Sequence, residues 1–259
     1  QNEVALELIN HGYLPEMIRH LSYFDNLGVE VAKKMIQDGQ NRLVASWITH
    51  FRKEDHNAIA LTLIEADKTS VVADNIRNFN ALKKEVAFVL IASDYGKNLV
   101  EWIEKFPVED RKEIGERLTN RGISIAHKFD EFVGIDHNWV ARTLMELGHE
   151  YEVATTLTFY KKLEKDIAMK LMDAIYSVDV SQHLDAFFGL DKEIALELLK
   201  NDYASAIAFN LDRFTGLDKD LATHLLDFGM GEQVLFHFTD IEDLDKLFHE
   251  DLFIKPLAF

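Results

Sequence analysis

The stretch that decides the fold is residues 191–217, DKEIALELLKNDYASAIAFNLDRFTGL, because its pattern recurs along nearly the whole chain. Its anchor is Ala195, which follows Ile194 and precedes Leu198 and Leu199. Equivalent anchors return about every 27 residues, at Ala5, Ala32, Ala60, Ala87, Gly115, Ala141, Ala168, Ala195 and Ala222. Self-similarity at a fixed period is the signature of a tandem-repeat protein.

The spacing within one repeat predicts two helices. Apolar residues one place before the anchor and three and four places after it form one face of a first helix. Seven places after the anchor stands Gly or Asp, which suits a left-handed cap; Ile175 replaces it in the seventh repeat, where we expect a different turn. A second helix follows and closes on a phenylalanine, which shifts to Phe132 and Phe159 in the fifth and sixth repeats. Aspartates stand at expected N-caps: Asp55, Asp110, Asp136, Asp191 and Asp218.

These patterns predict an all-α fold, an α-solenoid of about nine tandem helix-turn-helix repeats in one domain over residues 1–259. The repeats begin near residues 1, 28, 55, 83, 110, 137, 164, 191 and 218, and residues 246–259 are expected to form a C-terminal cap. The fifth repeat carries Gly115 and Thr119 at framework positions, and we expect it to be the softest joint.

On these repeats the chain resembles the broad α-solenoid class, whose members include HEAT, armadillo and tetratricopeptide arrays. The resemblance covers all nine repeats but rests on architecture, because a period of about 27 residues is shorter than the periods of those motifs. No specific family is identified. The class implies scaffold or recognition behaviour and implies no catalytic residue.

A series of chemically varied residues lies two places beyond the small residue of each second helix. We name this series the second-helix ladder. It flanks the core stripe, so we expect it to be partly exposed and to bind a protein or an extended peptide. The alternative is a set of tolerant surface positions, with the two tryptophans packing between neighbouring repeats. The ladder consists of His20, Trp47, Asn75, Trp102, Lys128, Thr156, His183, Asn210 and His237, with Lys128 placed by allowing for a two-residue shift in the fifth repeat.

Charge bears on the class of partner. The net charge of −17, from 28 basic against 45 acidic residues, opposes binding to a polyanion. Residues 28–163 carry a net charge of −2 and residues 164–245 a net charge of −12. The acidic end is either a solvated cap or a docking patch for a basic protein segment. A reader of single-stranded nucleic acid with one repeat per base is a less favoured alternative, because the cations do not recur at one repeat position.

No sequence motif points to catalysis, a cofactor or a metal, so we expect a protein that is not an enzyme and that holds neither cofactor nor metal ion. Cysteine is absent, which fits a reducing compartment, and we expect a cytoplasmic location. No apolar run approaches the length of a membrane span, and we expect no membrane partner. The apolar tail over residues 247–259 is either an end cap or a self-association element that would make dimers or fibres.

Overall fold

The computed structural model describes residues 1–237, and within them the chain is all-α, as predicted. The α-helices of this part are α1 (Asn2–Asn10), α2 (Leu14–Arg19), α3 (Val29–Gln37), α4 (Asn41–Ser46), α5 (His56–Glu65), α6 (Thr69–Asn75), α7 (Lys84–Ala92), α8 (Gly96–Glu101), α9 (Val108–Thr119), α10 (His137–Glu146), α11 (Glu150–Thr155), α12 (Lys165–Asp173), α13 (Ser177–Gln182), α14 (Lys192–Lys200), α15 (Ala204–Ala208), α16 (Lys219–Asp227) and α17 (Gly231–His237).

Short 3-10 helices and strands complete the described elements. The 3-10 helices are Leu21–Tyr23, Ile48–His50, Lys53–Asp55, Ile76–Asn78, Ile103–Lys105, Ala126–Glu131, Leu157–Phe159, Leu184–Ala186 and Leu211–Arg213. The strands are β1 (Leu163–Glu164), β2 (Phe187–Phe188), β3 (Leu190–Asp191) and β4 (Phe214–Thr215).

The chain divides into two compact units. The first unit is Gln1–Ile135, and the second begins at Asp136. Within the first unit the successive first helices α1, α3, α5, α7 and α9 pack in order, and the same holds for α10, α12, α14 and α16 in the second. The anchor alanines are fully buried on these helices, which allows close helix approach. The prediction of one domain over residues 1–259 stays a prediction.

The turn between the two helices of a repeat has the same backbone geometry throughout the described residues. The residue seven places after the anchor is left-handed in every repeat, with φ between 60° and 81°. Its N–H donates to the carbonyl three residues upstream and the next N–H to the carbonyl five residues upstream in the ending helix, which is a Schellman cap; Gly39 and Gln40 donate to Ile36 and Met35. The expectation of a different turn at Ile175 is wrong, because Ile175 has φ 74° and the same two bonds.

The second segment of each repeat is shorter than the predicted helix. In the second repeat α4 ends at Ser46, Trp47 leaves helical geometry, and a 3-10 helix continues over Ile48–His50. In the fifth repeat the prediction of an α-helix is wrong, because only the 3-10 helix Ala126–Glu131 follows the turn. From the left-handed Gly122 to the buried Phe132 this repeat is two residues shorter than the corresponding stretch of the second repeat, from Gly39 to Phe51.

Short parallel bridges join neighbouring repeats, which the sequence analysis did not anticipate. Leu163 pairs with Phe187, and Leu190 pairs with Phe214. Leu27 forms an isolated bridge with Phe51 in the first unit. The leucine of each pair is fully buried five places before an anchor, so a second apolar series contributes to the core. Each bridge uses backbone groups that would otherwise lack a partner after the 3-10 helix.

Three of the five expected N-caps are confirmed. The side chains of Asp136, Asp191 and Asp218 accept hydrogen bonds from amides in the first turn of α10, α14 and α16. Asp55 makes no cap and instead accepts from the N–H of Val29 in the neighbouring repeat, at 3.1 Å. Asp110 lies inside α9, because that helix begins two residues earlier, at Val108.

The closing aromatic residue of the sixth repeat differs from the prediction. Tyr160 is 2% exposed and takes the core position, whereas Phe159 is 43% exposed. Burial raises the pKa of the Tyr160 phenol.

The predicted cap over residues 246–259 and the tail over 247–259 lie outside the described residues. Among residues 1–237, no helix combines the length and the apolar character that a membrane crossing requires.

Candidate functional site

The second-helix ladder lies at the break in the second segment of the repeats. In seven repeats its member directly precedes the 3-10 helix, and in the fifth repeat Lys128 lies inside the 3-10 helix Ala126–Glu131. From His20 to Asn210 the φ angles of its members lie between −131° and −104°, and their ψ angles between 9° and 40°. His237 is the last residue of α17. The ladder therefore marks a regular break in the second segment, and its side chains leave the backbone at equivalent places.

Partial exposure of the ladder is confirmed. His20, Trp102 and His237 are exposed, with Trp102 at 36%. The other members are half-buried, namely Trp47, Asn75, Lys128, Thr156, His183 and Asn210. The ladder is accessible along each unit, because none of its members belongs to the core.

Four ladder side chains are bonded to their own helix. The bonds are Asn75 Nδ2 to Val71 O (2.9 Å), Thr156 Oγ1 to Glu152 O (2.5 Å), His183 Nδ1 with Asp179 O (3.0 Å) and Asn210 Nδ2 to Ala206 O (2.9 Å). Each spans four residues and satisfies a carbonyl of the last turn, which has no partner further along the helix. These polar residues therefore help to end the short helices. Asn75 and Asn210 still keep a side-chain carbonyl that can accept a further hydrogen bond.

The aromatic ladder members have free polar groups. Trp47 lies beside His50, with ring centroids 4.9 Å apart, and His20 lies 6.0 Å from Tyr23. Within the part of the chain that the structure describes, neither Trp47 nor Trp102 donates its indole N–H to another residue, and Lys128 forms no ion pair. The first unit thus presents two apolar rings with unused donors, in its second and fourth repeats.

A polar cleft beside the turns of the second and third repeats escaped the sequence analysis. Its volume is about 460 Å³, and Arg42, Asp67, Lys68 and Ser70 are among its lining residues. Asn41 also lines it, and among the described residues the buried Oδ1 of Asn41 has no hydrogen-bond partner. No spacing signal marks these residues, because the cleft forms only when two turns pack side by side.

The described residues contain no group of three or more His, Asp or Glu side chains arranged to hold a metal ion. Comparison of the chain with protein-family models, with curated proteins and with solved structures found no match.

Proposed function

We propose that this protein is a helical-repeat array of the α-solenoid class, with about nine repeats, that acts as a recognition scaffold and not as an enzyme. Its partner is a protein or an extended peptide, bound along the face that the second-helix ladder lines. The observation that carries this proposal is the constancy of the ladder's backbone position, since eight of its members share one φ, ψ region.

A constant backbone position supports recognition because it places one variable side chain per repeat in the same local backbone conformation. An extended peptide has N–H and C=O groups at a regular spacing along its length. The free carbonyls of Asn75 and Asn210 suit peptide N–H groups, and the indole N–H donors of Trp47 and Trp102 suit peptide carbonyls. The tryptophan rings also supply apolar contact area that surface positions ordinarily lack.

Within this proposal we assign the largest share of affinity to Trp47 and Trp102. The side chains of Thr156 and His183 are hydrogen-bonded to their own helices, so we expect them to contribute more to the shape of the binding surface than to the binding energy. Lys128 is free to meet an acidic group of the partner. In the second unit we expect Asn210 to contribute most among the ladder members, because its carbonyl is available.

The experiment is a selection from a random library of displayed peptides against the full chain. Selected peptides are then measured by fluorescence anisotropy against the wild type and the Trp47→Ala, Trp102→Ala double variant. We expect the double variant to lose about tenfold or more in affinity. The matched control is Trp139→Ala, which removes the third tryptophan from α10, away from the ladder, and should leave affinity unchanged.

Two outcomes would contradict the proposal. Equal loss of affinity in the Trp139 control would show that the ladder has no special part in binding. A random single-stranded RNA pool that binds more tightly than any peptide, and weakens between about 50 and 200 mM salt, would favour a nucleic-acid reader instead.

A further inference from the structure

The second unit carries an exposed apolar surface on its turns, formed by residues outside the ladder. Leu147, Tyr151, Ile175 and Val178 are 48%, 63%, 87% and 46% exposed. We name these four residues the turn-edge patch. Isolated apolar side chains on a surface are ordinary, but a contiguous group of them marks an interaction site.

The turn-edge patch spans two neighbouring repeats. Leu147 is the C-cap residue of α10, and Tyr151 is the second residue of α11 in the sixth repeat. Ile175 and Val178 lie at the corresponding turn of the seventh repeat. The ring of Tyr151 lies 6.5 Å from the ring of Tyr176, which joins the two turns into one surface.

The same turn positions carry no large apolar residue in the first unit. Six places after the anchor, where the sixth repeat has Leu147, the first unit has His11, Asp38, Ala66, Ser93 and Arg121. Seven places after the anchor, where the seventh repeat has Ile175, the first unit has Gly12, Gly39, Asp67, Asp94 and Gly122. The repeat framework therefore does not require an apolar residue at these turns, and the patch is a local departure from it.

Ile175 is the most informative member of the patch. Its φ of 74° lies in the left-handed region, which disfavours a β-branched side chain. Its side chain is 87% exposed, so packing within the chain does not offset this strain. A strained residue whose side chain is left mostly uncovered by the described residues indicates a role outside the fold.

The surroundings of the patch are acidic. Glu146, Glu150, Asp173 and Asp179 lie on its two turns and helices, and among the described residues none of the four forms an ion pair. The sixth and seventh repeats, residues 137–190, which hold the patch, have a net charge of −3. An apolar surface with an acidic rim is complementary to a cationic amphipathic segment.

We propose that the turn-edge patch docks a basic amphipathic segment of a partner protein. Apolar side chains of that segment cover Ile175 and its neighbours, and its Lys or Arg residues meet the acidic rim. This surface is distinct from the second-helix ladder, so it can be right or wrong independently of the function proposed above.

The test uses a synthetic amphipathic peptide of about 16 residues, with Leu on one helical face and Lys on the other, measured by fluorescence anisotropy. The Ile175→Gly variant restores the residue type that most other turns use, so it should fold at least as stably as the wild type. We expect it to bind the Leu and Lys peptide about tenfold more weakly. The matched control is Asp67→Gly, which relieves a left-handed residue in the first unit and should leave affinity unchanged.

Further peptides and a solution measurement decide between occupants. A Leu and Glu peptide should not bind, and a Lys and Ser peptide should bind weakly and lose binding with added salt. Equal affinity of the wild type and Ile175→Gly for the Leu and Lys peptide would overturn the proposal. So would light scattering that shows self-association abolished by Ile175→Gly, or binding of the wild type to lipid vesicles without binding to the peptide.

Discussion

The ring Nδ1 of His56 accepts a hydrogen bond from the backbone N–H of Asn80, 3.0 Å away. Nε2 therefore carries the ring proton and faces the carbonyl of Phe51 at 3.3 Å. The side chain is fully buried, and its ring meets the edge of Phe79. This buried, neutral histidine stabilises the end of the third repeat by accepting the hydrogen bond from Asn80. A second proton, on Nδ1, would break that bond.

We predict that the protein loses stability when the pH falls below about 6.5. Burial lowers the pKa of His56 from its ordinary value of 6.5, so the unfolded chain takes up a proton at this site before the folded chain does. The contribution of His56 is therefore fully present above pH 6.5 and declines as the pH falls toward the folded-state pKa. Urea unfolding midpoints at pH 7.5, 6.5 and 5.5, each approximate, measure this slope.

The chain supplies its own control for this histidine. In the first repeat Gln1 stands at the equivalent place, and its Oε1 accepts from the N–H of Asp25 at 2.7 Å. His56→Gln should therefore keep the hydrogen bond and remove the titration, which flattens the stability profile between pH 7.5 and 5.5. An unchanged slope in the variant would assign the pH dependence to other groups.

The Ile175→Gly variant should be more stable than the wild type. A side chain in the left-handed region costs the folded state about 1–2 kcal/mol, which the glycine variant avoids. The greater conformational freedom of glycine in the unfolded chain cancels about 0.5–1 kcal/mol of that gain. We expect a net gain of roughly 0.5–1 kcal/mol, because an 87% exposed side chain gives up little burial. Ile175→Ala keeps the unfavourable Cβ and should change little. Chemical denaturation of the wild type, Ile175→Gly and Ile175→Ala measures their free energies of unfolding. An Ile175→Gly variant less stable than the wild type would refute the argument.

The sequence predicted the helical class, the anchor alanines and the left-handed turns, because each depends on local spacing or on one residue's conformational preference. It did not predict that Ile175 would adopt the glycine geometry, since neighbouring helices impose that turn despite the side chain's preference. The bridges of Leu163 and Leu190 also escaped notice, because strands of two residues carry no periodic signal. The spacing of the sequence identified the ladder, but it did not predict that the ladder lies at a break in the second segment.

Gly115→Ala should destabilise the protein although alanine is the better helix former. A Cβ at Gly115 would lie 2.7 Å from the Phe132 ring and 3.0 Å from Ile135. Overpacking costs about 1–3 kcal/mol, against a gain in helix propensity of about 1 kcal/mol. We therefore expect a net loss of roughly 1 kcal/mol. The fifth repeat has a glycine at its anchor because the space there is already filled. Its softness stays a prediction that hydrogen exchange over residues 110–136 tests.

The control for this substitution is Gly231→Ala, at the start of α17. A Cβ there would meet only Leu226, at 3.7 Å, which is ordinary contact. The variant should gain a few tenths of a kcal/mol in the free energy of unfolding, since the first residue of a helix profits little from propensity. If Gly115→Ala and Gly231→Ala both raise the free energy of unfolding, the fifth repeat accommodates the added methyl group and the overpacking argument fails.

A hydrogen bond from Lys192 to Asp218 links the eighth repeat to the ninth, and we predict that its two partners are unequal in importance. The hydrogen bond from Lys192 lowers the pKa of Asp218, whose other oxygen accepts from the N–H of Leu221 at 3.2 Å. Asp218→Ala removes both the ion pair and the cap, and loss of the cap alone costs about 1 kcal/mol. Lys192→Ala removes only partly exposed ion pairs, to Asp218 and, at 3.7 Å, to Asp220, and salt screens both.

Thermal unfolding of both single variants and the double variant tests this asymmetry. We expect Asp218→Ala to lower the midpoint clearly and Lys192→Ala to lower it slightly, with the second effect vanishing at about 1 M salt. The wild type should also lose stability in acid as the Asp218 carboxylate takes up its proton, because a lowered carboxyl pKa contributes stability only while the group is ionised. Equal losses in the two single variants would mean that the ion pair, and not the cap, holds this joint.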